Sequence, residues 1–284
     1  MPQGLMKQEE SYVEKWLLLV FLIQCYNDIN VPRENGLNLL QVRKLLRLGV
    51  PTLKKLCWKQ KAPLVQFDEI AINNLPGTGI MLDAGCGSRT RVLAQGRSKL
   101  VVGVDRGKPE TPCITGIDEF VLGDLRRLPF MSSVFDMVVS WMVVEHLERP
   151  LDCFREFSRI SRDGGIVVLA TPNVFHYAVL VTKLTPYWFH EWARKKVLKS
   201  PEETHPTVYR ANNPEKLVKM MRDAGFECVE IRLIDSGPAY LSWLAPAYLL
   251  GLLYHRLVNR FGWLSFFRFT IIGVFRKVSL SSSL

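Results

Sequence analysis

An apolar strand that ends in an acidic residue and a glycine turn is the feature that most constrains the fold of this chain. The strand at about residue 80 reaches Asp83, and Gly85 and Gly87 follow it closely. Glycines let the backbone bend tightly there and let a ligand approach where a Cβ atom would block it. A second apolar run ends in Asp105, whose carboxylate can accept hydrogen bonds from two sugar hydroxyls. The pattern predicts a nucleoside-binding site at the ends of two strands.

Two common nucleotide-binding turns do not fit this segment. A dinucleotide-binding turn has a third glycine three residues after the second one, but position 90 is Thr. A phosphate-binding P-loop ends in Lys followed by Ser or Thr, and this turn lacks that pair. Asp83 would also repel a pyrophosphate, whereas it would attract an ammonium group. The residues therefore favour a nucleoside ligand that carries a positive charge.

The turn resembles the first motif of the class I S-adenosylmethionine-dependent methyltransferases, which reads acid-x-Gly-x-Gly-x-Gly. Asp83, Gly85 and Gly87 match this motif, and Arg89 stands at the position of its last glycine. Further similar segments follow in the family's order, at residues 120–125, 128–130, 133–140, 144–147 and 163–169. Together they resemble the type-11 branch of the family over about residues 79–172, with weaker similarity to residue 277.

The resemblance implies S-adenosylmethionine as the cofactor and a set of residues that hold it. In the family, an acid placed like Asp124 accepts a hydrogen bond from the adenine amino group. A pair like Glu145-His146 follows the fourth strand and lies beside the cofactor. The expected cofactor-binding residues are Asp83, Gly85, Cys86, Gly87, Asp105, Asp124, Leu125 and Ser140.

Short apolar runs alternate with helical patterns, which predicts an α/β fold. We expect a Rossmann-like, doubly wound, mostly parallel sheet of seven strands, the last two forming a hairpin. The predicted strands lie near 79–84, 100–105, 118–122, 134–140, 166–171, 227–235 and 268–277. One helix is predicted over 150–162, stopped by Gly164-Gly165, and another from the Asn213-Pro214 start signal to Ala224.

The sequence predicts a helical N-terminal extension over residues 1–78 and a methyltransferase domain over 79–284. Two insertions interrupt the domain. The first, about 172–212, is rich in aromatic residues and histidines, and the second, about 236–267, is apolar almost throughout. The second insertion has two interpretations: it packs on the sheet, which we favour, or it leans on a membrane or an apolar acceptor.

Charge and cysteine content set limits on partners and location. The net charge is +10, an excess typical of proteins that bind nucleic acid or an anionic membrane, and also of a solvated basic face. The six cysteines show no C-x-x-C spacing, so no metal site is predicted and reduced thiols in a cytoplasmic protein are expected. The apolar run at residues 16–23 is too short to span a bilayer and lacks a signal-peptide cleavage site. We therefore expect a cytoplasmic protein, with peripheral membrane contact as the alternative.

Methyl transfer to a hydroxyl needs a base to remove a proton as attack develops, and histidine is the natural candidate. His146 beside the cofactor leads, with Glu145 next to it and His176 or His205 from the aromatic insertion as alternatives. For acceptor recognition we expect His205, Tyr209 and Arg210. Anchoring of the loop is an equally good explanation of Tyr209 and Arg210.

The acceptor is expected to be a small molecule, a glycan or a lipid-linked compound. In the family, enzymes that methylate adenine or cytosine amino groups carry Asn/Asp-Pro-Pro-aromatic after the fourth strand, and this chain has residues Ser-Trp-Met-Val at 140–143. A Pro-Cys pair for cytosine C5 chemistry is also missing from that position. Nucleic acid is therefore unlikely as the acceptor. An RNA methyltransferase and a catalytically inactive cofactor-binding or partner-binding module remain alternatives, the latter because of Arg89.

Overall fold

A twisted sheet of seven strands forms the centre of the computed structural model, which describes residues 61–87, 90–92, 97–108, 115–184, 206–238, 241 and 245–279. The strands are β1 Ile80–Ala84, β2 Leu100–Asp105, β3 Glu119–Leu122, β4 Phe135–Trp141, β5 Ser161–Pro172, β6 Phe226–Ile234 and β7 Thr270–Lys277. Their order is β3-β2-β1-β4-β5-β7-β6, and β7 alone runs antiparallel to its neighbours in the sheet. The predicted Rossmann-like fold, with its closing hairpin, is confirmed.

Helices cover both faces of the sheet, and this explains the nearly continuous apolar strands. The helices are α1 Pro63–Asn74, α2 Pro150–Ile160, α3 Tyr177–Leu184, α4 Pro214–Asp223 and α5 Ala245–Arg260. Leu82 of β1 packs into one core with α2 and α4, whereas the preceding Met81 packs into a second core with α1. Successive strand residues thus fill opposite cores, as the alternation of side chains along a strand requires.

The end of α2 differs from the sequence-based expectation. The helix ends at Ile160 instead of residue 162, and β5 already begins at Ser161. Phe135 pairs with Ser161 and Met137 pairs with Ile166, so residues 162–165 loop out between the two pairs. Gly164 takes a φ of +74° in this loop. The glycine pair therefore shapes the entry of β5 and does not stop the helix.

The start of α4 agrees with its sequence signal. The side chain of Asn213 accepts hydrogen bonds from the backbone N–H groups of Glu215 and Lys216, and Pro214 occupies the first helical position. Gly225 follows the helix with a φ of +92°. Both ends of α4 therefore form as the sequence predicts.

The two insertions contact each other at the carboxyl end of β5. Helix α3 lies in the first insertion, and α5 and the 3₁₀ helix Gly262–Phe267 lie in the second. The rings of Phe175 and Phe266 join them at 4.1 Å between centroids. None of the helices in the described ranges is long and apolar enough to cross a membrane. Of the predicted N-terminal extension, residues 1–60 lie outside the described part of the chain.

Candidate cofactor and acceptor site

The carboxyl ends of β1, β2 and β3 bring the three predicted acids to one edge of the sheet. Asp83 pairs in register with Gly103 of β2, and Asp105 pairs with Leu122 of β3. The N–H of Gly123 then bonds the Asp105 carbonyl, which places Asp124 next to it. Ligands of open α/β sheets bind at this carboxyl edge. The three acids therefore lie where a nucleoside would bind.

The side chain of Asp83 is buried and has an oxygen atom that a cationic group could bind. It is 2% exposed, and its Oδ2 atom has no hydrogen-bond partner among the described residues. Burial raises the pKa of Asp83 to about 6, although hydrogen bonds from Thr90 and from the Arg91 backbone partly oppose this change. A buried carboxylate without a cation is costly, because water no longer stabilises its charge. An ammonium group bound at Oδ2 would remove that cost.

The glycine turn after β1 lies tight against the loop that follows β4. Gly85 has a φ of +82°, and a Cβ atom there would come within 2.4 Å of Val143 Cγ2. Gly87 has a φ of +59°, but a Cβ at this position would meet no atom of the described residues within 4 Å. Gly85 is therefore required by packing as well as by backbone conformation. At Gly87 the described residues leave room for a ligand to approach the backbone.

Asp105 holds the glycine turn through both of its carboxylate oxygens. Oδ2 accepts the backbone N–H of Gly87 at 2.9 Å, and Oδ1 accepts that of Gly107 at 2.9 Å. Each carboxylate oxygen can accept a second hydrogen bond. The carboxylate is thus fixed in place while it keeps the capacity to bind two ribose hydroxyls.

Asp124 lies at the expected position, but two arginines bind its carboxylate. Arg126 and Arg106 contact Asp124 Oδ2 at 2.7 and 2.9 Å. These hydrogen bonds, chiefly the one from Arg126, hold the pKa of Asp124 well below its ordinary value. An adenine amino group would have to share this acceptor with guanidinium groups. Arg106 directly follows Asp105, yet its sequence position alone did not indicate this contact.

Three other expected cofactor residues have mainly structural surroundings. Leu125 is 6% exposed and packs in the core, so only its backbone is available to a ligand. Ser140 donates a hydrogen bond to the Ala84 carbonyl at 2.8 Å, which ties β4 to β1. Cys86 lies between the acids, and burial together with Asp83 and Asp105 raises its thiol pKa to about 12. These contacts shape the site, and the binding roles of the three residues stay predictions.

Glu145 follows β4 in the 3₁₀ helix Val144–His146 and is buried in a polar network. Its Oε2 accepts a hydrogen bond from the Thr171 hydroxyl at 3.2 Å, and Thr171 in turn accepts one from Asn212 at 2.5 Å. The carboxyl group is 4% exposed, and this burial raises its pKa to about 7. Thr171 and Asn212 were not singled out by sequence. The position of Thr171 near the carboxyl end of β5 is the signal that could have found it.

The segment 206–212 lies across Glu145 and His146. The Glu145 carbonyl accepts the N–H groups of Val208 and Tyr209, at 2.8 and 3.1 Å. His146 Nδ1 lies 2.9 Å from the Pro206 carbonyl, to which it donates a hydrogen bond. The structure thus brings His146, Glu145 and Tyr209 together. Arg210 next to them is exposed, whereas the predicted His205 lies outside the described residues.

His176 lies in a different environment from that of His146. It is 1% exposed, and its ring contacts those of Tyr177, Tyr254 and Phe269. Burial lowers the pKa of His176 to about 3. A ring so enclosed is poorly placed to exchange protons with a substrate. The structure therefore favours His146 over His176 as the candidate base.

His176, Asp235 and His255 form a buried cluster whose nitrogen and oxygen atoms lie within 4.8 Å of one another. Asp235 contacts His255 Nδ1 and accepts a hydrogen bond from Asn259 at 2.6 Å. His176 Nδ1 accepts the backbone N–H of Ala178 at 3.2 Å. A neutral ring in that tautomer carries its hydrogen on Nε2, so it offers no lone pair to a metal ion. The absence of a metal site stays a prediction.

The strand order, the glycine turn and the acids on the first strands together define a class I S-adenosylmethionine-dependent methyltransferase. A family model described as a methyltransferase domain matches residues 61–231. The chain belongs to this methyltransferase family.

Known proteins agree with this assignment. The chain is 26% identical over 163 residues to the ubiquinone/menaquinone biosynthesis C-methyltransferase UbiE of Roseobacter denitrificans, covering 56% of this chain and 64% of the relative. It is 25% identical over 210 residues to cycloartenol-C-24-methyltransferase 1 of Oryza sativa subsp. japonica, covering 70% of this chain and 54% of that relative. The chain spans less than two thirds of the length of the first curated relatives that it matches.

A solved structure shows the same fold. It is a chain of the complex between the Trm112 methyltransferase activator and a methyltransferase of Haloferax volcanii. The TM-score is 0.51 at 20% identity, and the match covers 81% of this chain and 94% of that one. At this identity the similarity supports the fold and carries no information about the substrate.

Proposed function

We propose that the protein transfers the methyl group of S-adenosylmethionine to an oxygen atom of a small or lipid-linked acceptor. The buried Asp83 carboxyl is the observation that carries the cofactor part of this proposal, because its Oδ2 atom has no hydrogen-bond partner among the described residues. The cofactor supplies a methyl group activated by a positively charged sulfur. Asp83 would hold its amino group, Asp105 its ribose hydroxyls, and Asp124 the adenine amino group.

The names of several relatives support an apolar acceptor. UbiE of Roseobacter denitrificans is named for ubiquinone and menaquinone biosynthesis, and the rice relative is named for cycloartenol. Another relative, from Ruegeria pomeroyi, is a ubiquinone biosynthesis O-methyltransferase. These acceptors combine a ring system with a hydrocarbon portion. The aromatic and apolar insertions of this chain, joined through Phe175 and Phe266, offer a wall suited to such a molecule.

His146 is proposed as the base that removes the acceptor's proton. Its Nδ1 donates to the Pro206 carbonyl, so the neutral ring carries its lone pair on Nε2. As the new C–O bond forms and the S–C bond breaks, the hydroxyl proton would pass to Nε2. Tyr209 and Arg210 are proposed to contact the acceptor, because segment 206–212 lies next to His146.

The His146→Gln variant tests this function. Proton abstraction by a side chain contributes about 10²–10⁴-fold to rate, so we expect turnover to fall by roughly that factor. Binding of S-adenosylhomocysteine, measured by calorimetry, should stay unchanged. The acceptor fraction is found by incubating wild-type protein with labelled S-adenosylmethionine and cell extract separated into lipid, glycan, small-molecule and RNA fractions. Label confined to RNA would overturn the acceptor class, and full turnover in His146→Gln would overturn the base.

A further inference from the structure

Helix α5 has apolar residues on two opposite faces, and only one of these faces is buried. The inner face packs against the protein through Tyr248, Leu252, His255 and Val258, each at most 2% exposed. The outer face carries Leu250 and Leu257, which are 56% and 42% exposed. Residues seven apart lie on the same side of a helix. The helix therefore presents a second apolar stripe outwards.

The outer stripe continues into the 3₁₀ helix that follows. Phe261 is 41% exposed, Trp263 is 76% exposed and Phe266 is 39% exposed. We call the surface formed by Leu250, Leu257, Phe261, Trp263 and Phe266 the outer apolar face. A group of large exposed apolar residues marks a site of interaction with a protein, a ligand or a membrane. A tryptophan that reaches solvent is typical of a side chain that inserts at a membrane interface.

Charge distinguishes a membrane from the other partners. Arg260 is exposed and lies between Leu257 and Phe261 in the sequence. No acidic residue follows Asp235 anywhere in the sequence. A second copy of the chain would bring the same positive charges against each other. Anionic lipid headgroups would instead pair with Arg260 while the aromatic rings enter the acyl region.

We infer that the outer apolar face docks on an anionic membrane surface. The face lies between the end of β6 and the start of β7, where Ile234 pairs with Thr270. Thr270 also pairs with Pro172 at the carboxyl end of β5. The docking face and the proposed catalytic site therefore share one edge of the sheet. Docking does not depend on methyl transfer, so the two proposals can fail separately.

Co-sedimentation of the full chain with lipid vesicles tests the inference. One set of vesicles contains phosphatidylcholine alone, and the other also contains phosphatidylserine. We expect binding to the anionic vesicles, weakened by high salt, and little binding to the neutral ones. Replacing Phe261 and Trp263 together by Ala should weaken binding roughly tenfold or more, since each ring loses apolar contact with the lipid. Met131→Ala is the matched control, because Met131 is 80% exposed before β4, at the opposite edge of the sheet.

Calorimetry with S-adenosylhomocysteine shows whether each variant is folded, since the substituted side chains are exposed. Absence of binding to anionic vesicles would overturn the inference. Unchanged binding by the Phe261→Ala, Trp263→Ala double variant would overturn it too, because the contact would then lie elsewhere in the chain. Equal binding to neutral vesicles would overturn the preference for an anionic surface and with it the pairing of Arg260 with headgroups. If the protein does not bind vesicles but self-associates in ultracentrifugation, and the double variant abolishes this self-association, the face is a contact between copies of the chain. That result would overturn the inference.

Discussion

The carboxylate of Asp105 accepts the backbone N–H of Gly87 across the space between β2 and the glycine turn, at 2.9 Å. This bond fixes the turn against the second strand before any ligand binds. The main chain around Gly87 therefore does not have to become ordered when a cofactor enters. Preorganisation of this kind lowers the entropic cost of binding.

We expect Asp83→Asn to weaken the binding of S-adenosylmethionine at least about tenfold, because the amide removes the negative charge that attracts the ligand's amino group. Isothermal titration calorimetry measures the change. Asp163→Asn is the control, because Asp163 is exposed at the start of β5, at the opposite edge of the sheet. Equal affinity of wild type and Asp83→Asn would remove Asp83 from the binding site.

Cofactor affinity should depend on pH through Asp83. The pKa of this carboxyl in the free protein is about 6, so the group is ionised above that pH and neutral below it. We expect affinity to be constant above pH 6 and to fall about tenfold for each unit below it. Calorimetry in buffers of different ionisation enthalpy should detect proton release on binding near pH 6. The fall of affinity below pH 6 should disappear in Asp83→Asn. If it persists, the pH dependence arises from another group.

The buried Glu145 should make the folded state less stable as pH rises. Burial raises its pKa from the ordinary 4.5 to about 7, so between these pH values the unfolded chain loses a proton that the folded chain retains. Stability is therefore lost from about pH 4.5 to 7. We expect Glu145→Gln to remove this loss and to raise the free energy of unfolding at pH 8 by roughly 1–3 kcal/mol. Urea denaturation at pH 5 and pH 8 measures it, with the exposed Glu148→Gln as control. Parallel pH curves for wild type and Glu145→Gln would contradict the prediction.

Gly85→Ala should destabilise the protein more than Gly87→Ala. At Gly85 the new methyl group would come within 2.4 Å of Val143, whereas at Gly87 it would meet none of the described residues within 4 Å. Both positions have positive φ, which costs about 1–2 kcal/mol for alanine, and overpacking adds about 1–3 kcal/mol at Gly85 alone. Thermal and urea unfolding of the two variants compare these costs. Equal losses would show that Val143 moves away freely.

The sheet and the positions of Asp83 and Asp105 at one of its edges were predictable because their signals are local. Asp83 and Asp105 each end an apolar run, and parallel strands bring such ends to one edge. The raised pKa of the Glu145 carboxyl was not predictable, since it depends on burial beside Thr171 at the end of β5. The arginine contacts of Asp124 likewise depend on side-chain directions that spacing does not reveal.

The surroundings of His176 could not be predicted from the sequence either. Its position in an aromatic insertion suggested a base near the acceptor. The fold instead encloses it with Asp235 from the end of β6 and His255 from α5, two residues far away in sequence. Only the pairing of the last strands brings these elements next to β5. A histidine in an insertion therefore could not be assigned before the topology was known.

The loop over the proposed acceptor site bonds directly to the main-chain oxygen of Glu145, whereas it reaches the Glu145 side chain only through Thr171. Every amino acid supplies that oxygen. The side chain at this position can thus be replaced by one of different pKa while the loop keeps its hydrogen bonds to the main chain. Reactivity and architecture are separately adjustable at position 145, which makes it a favourable starting point for redesigning the enzyme's acceptor preference.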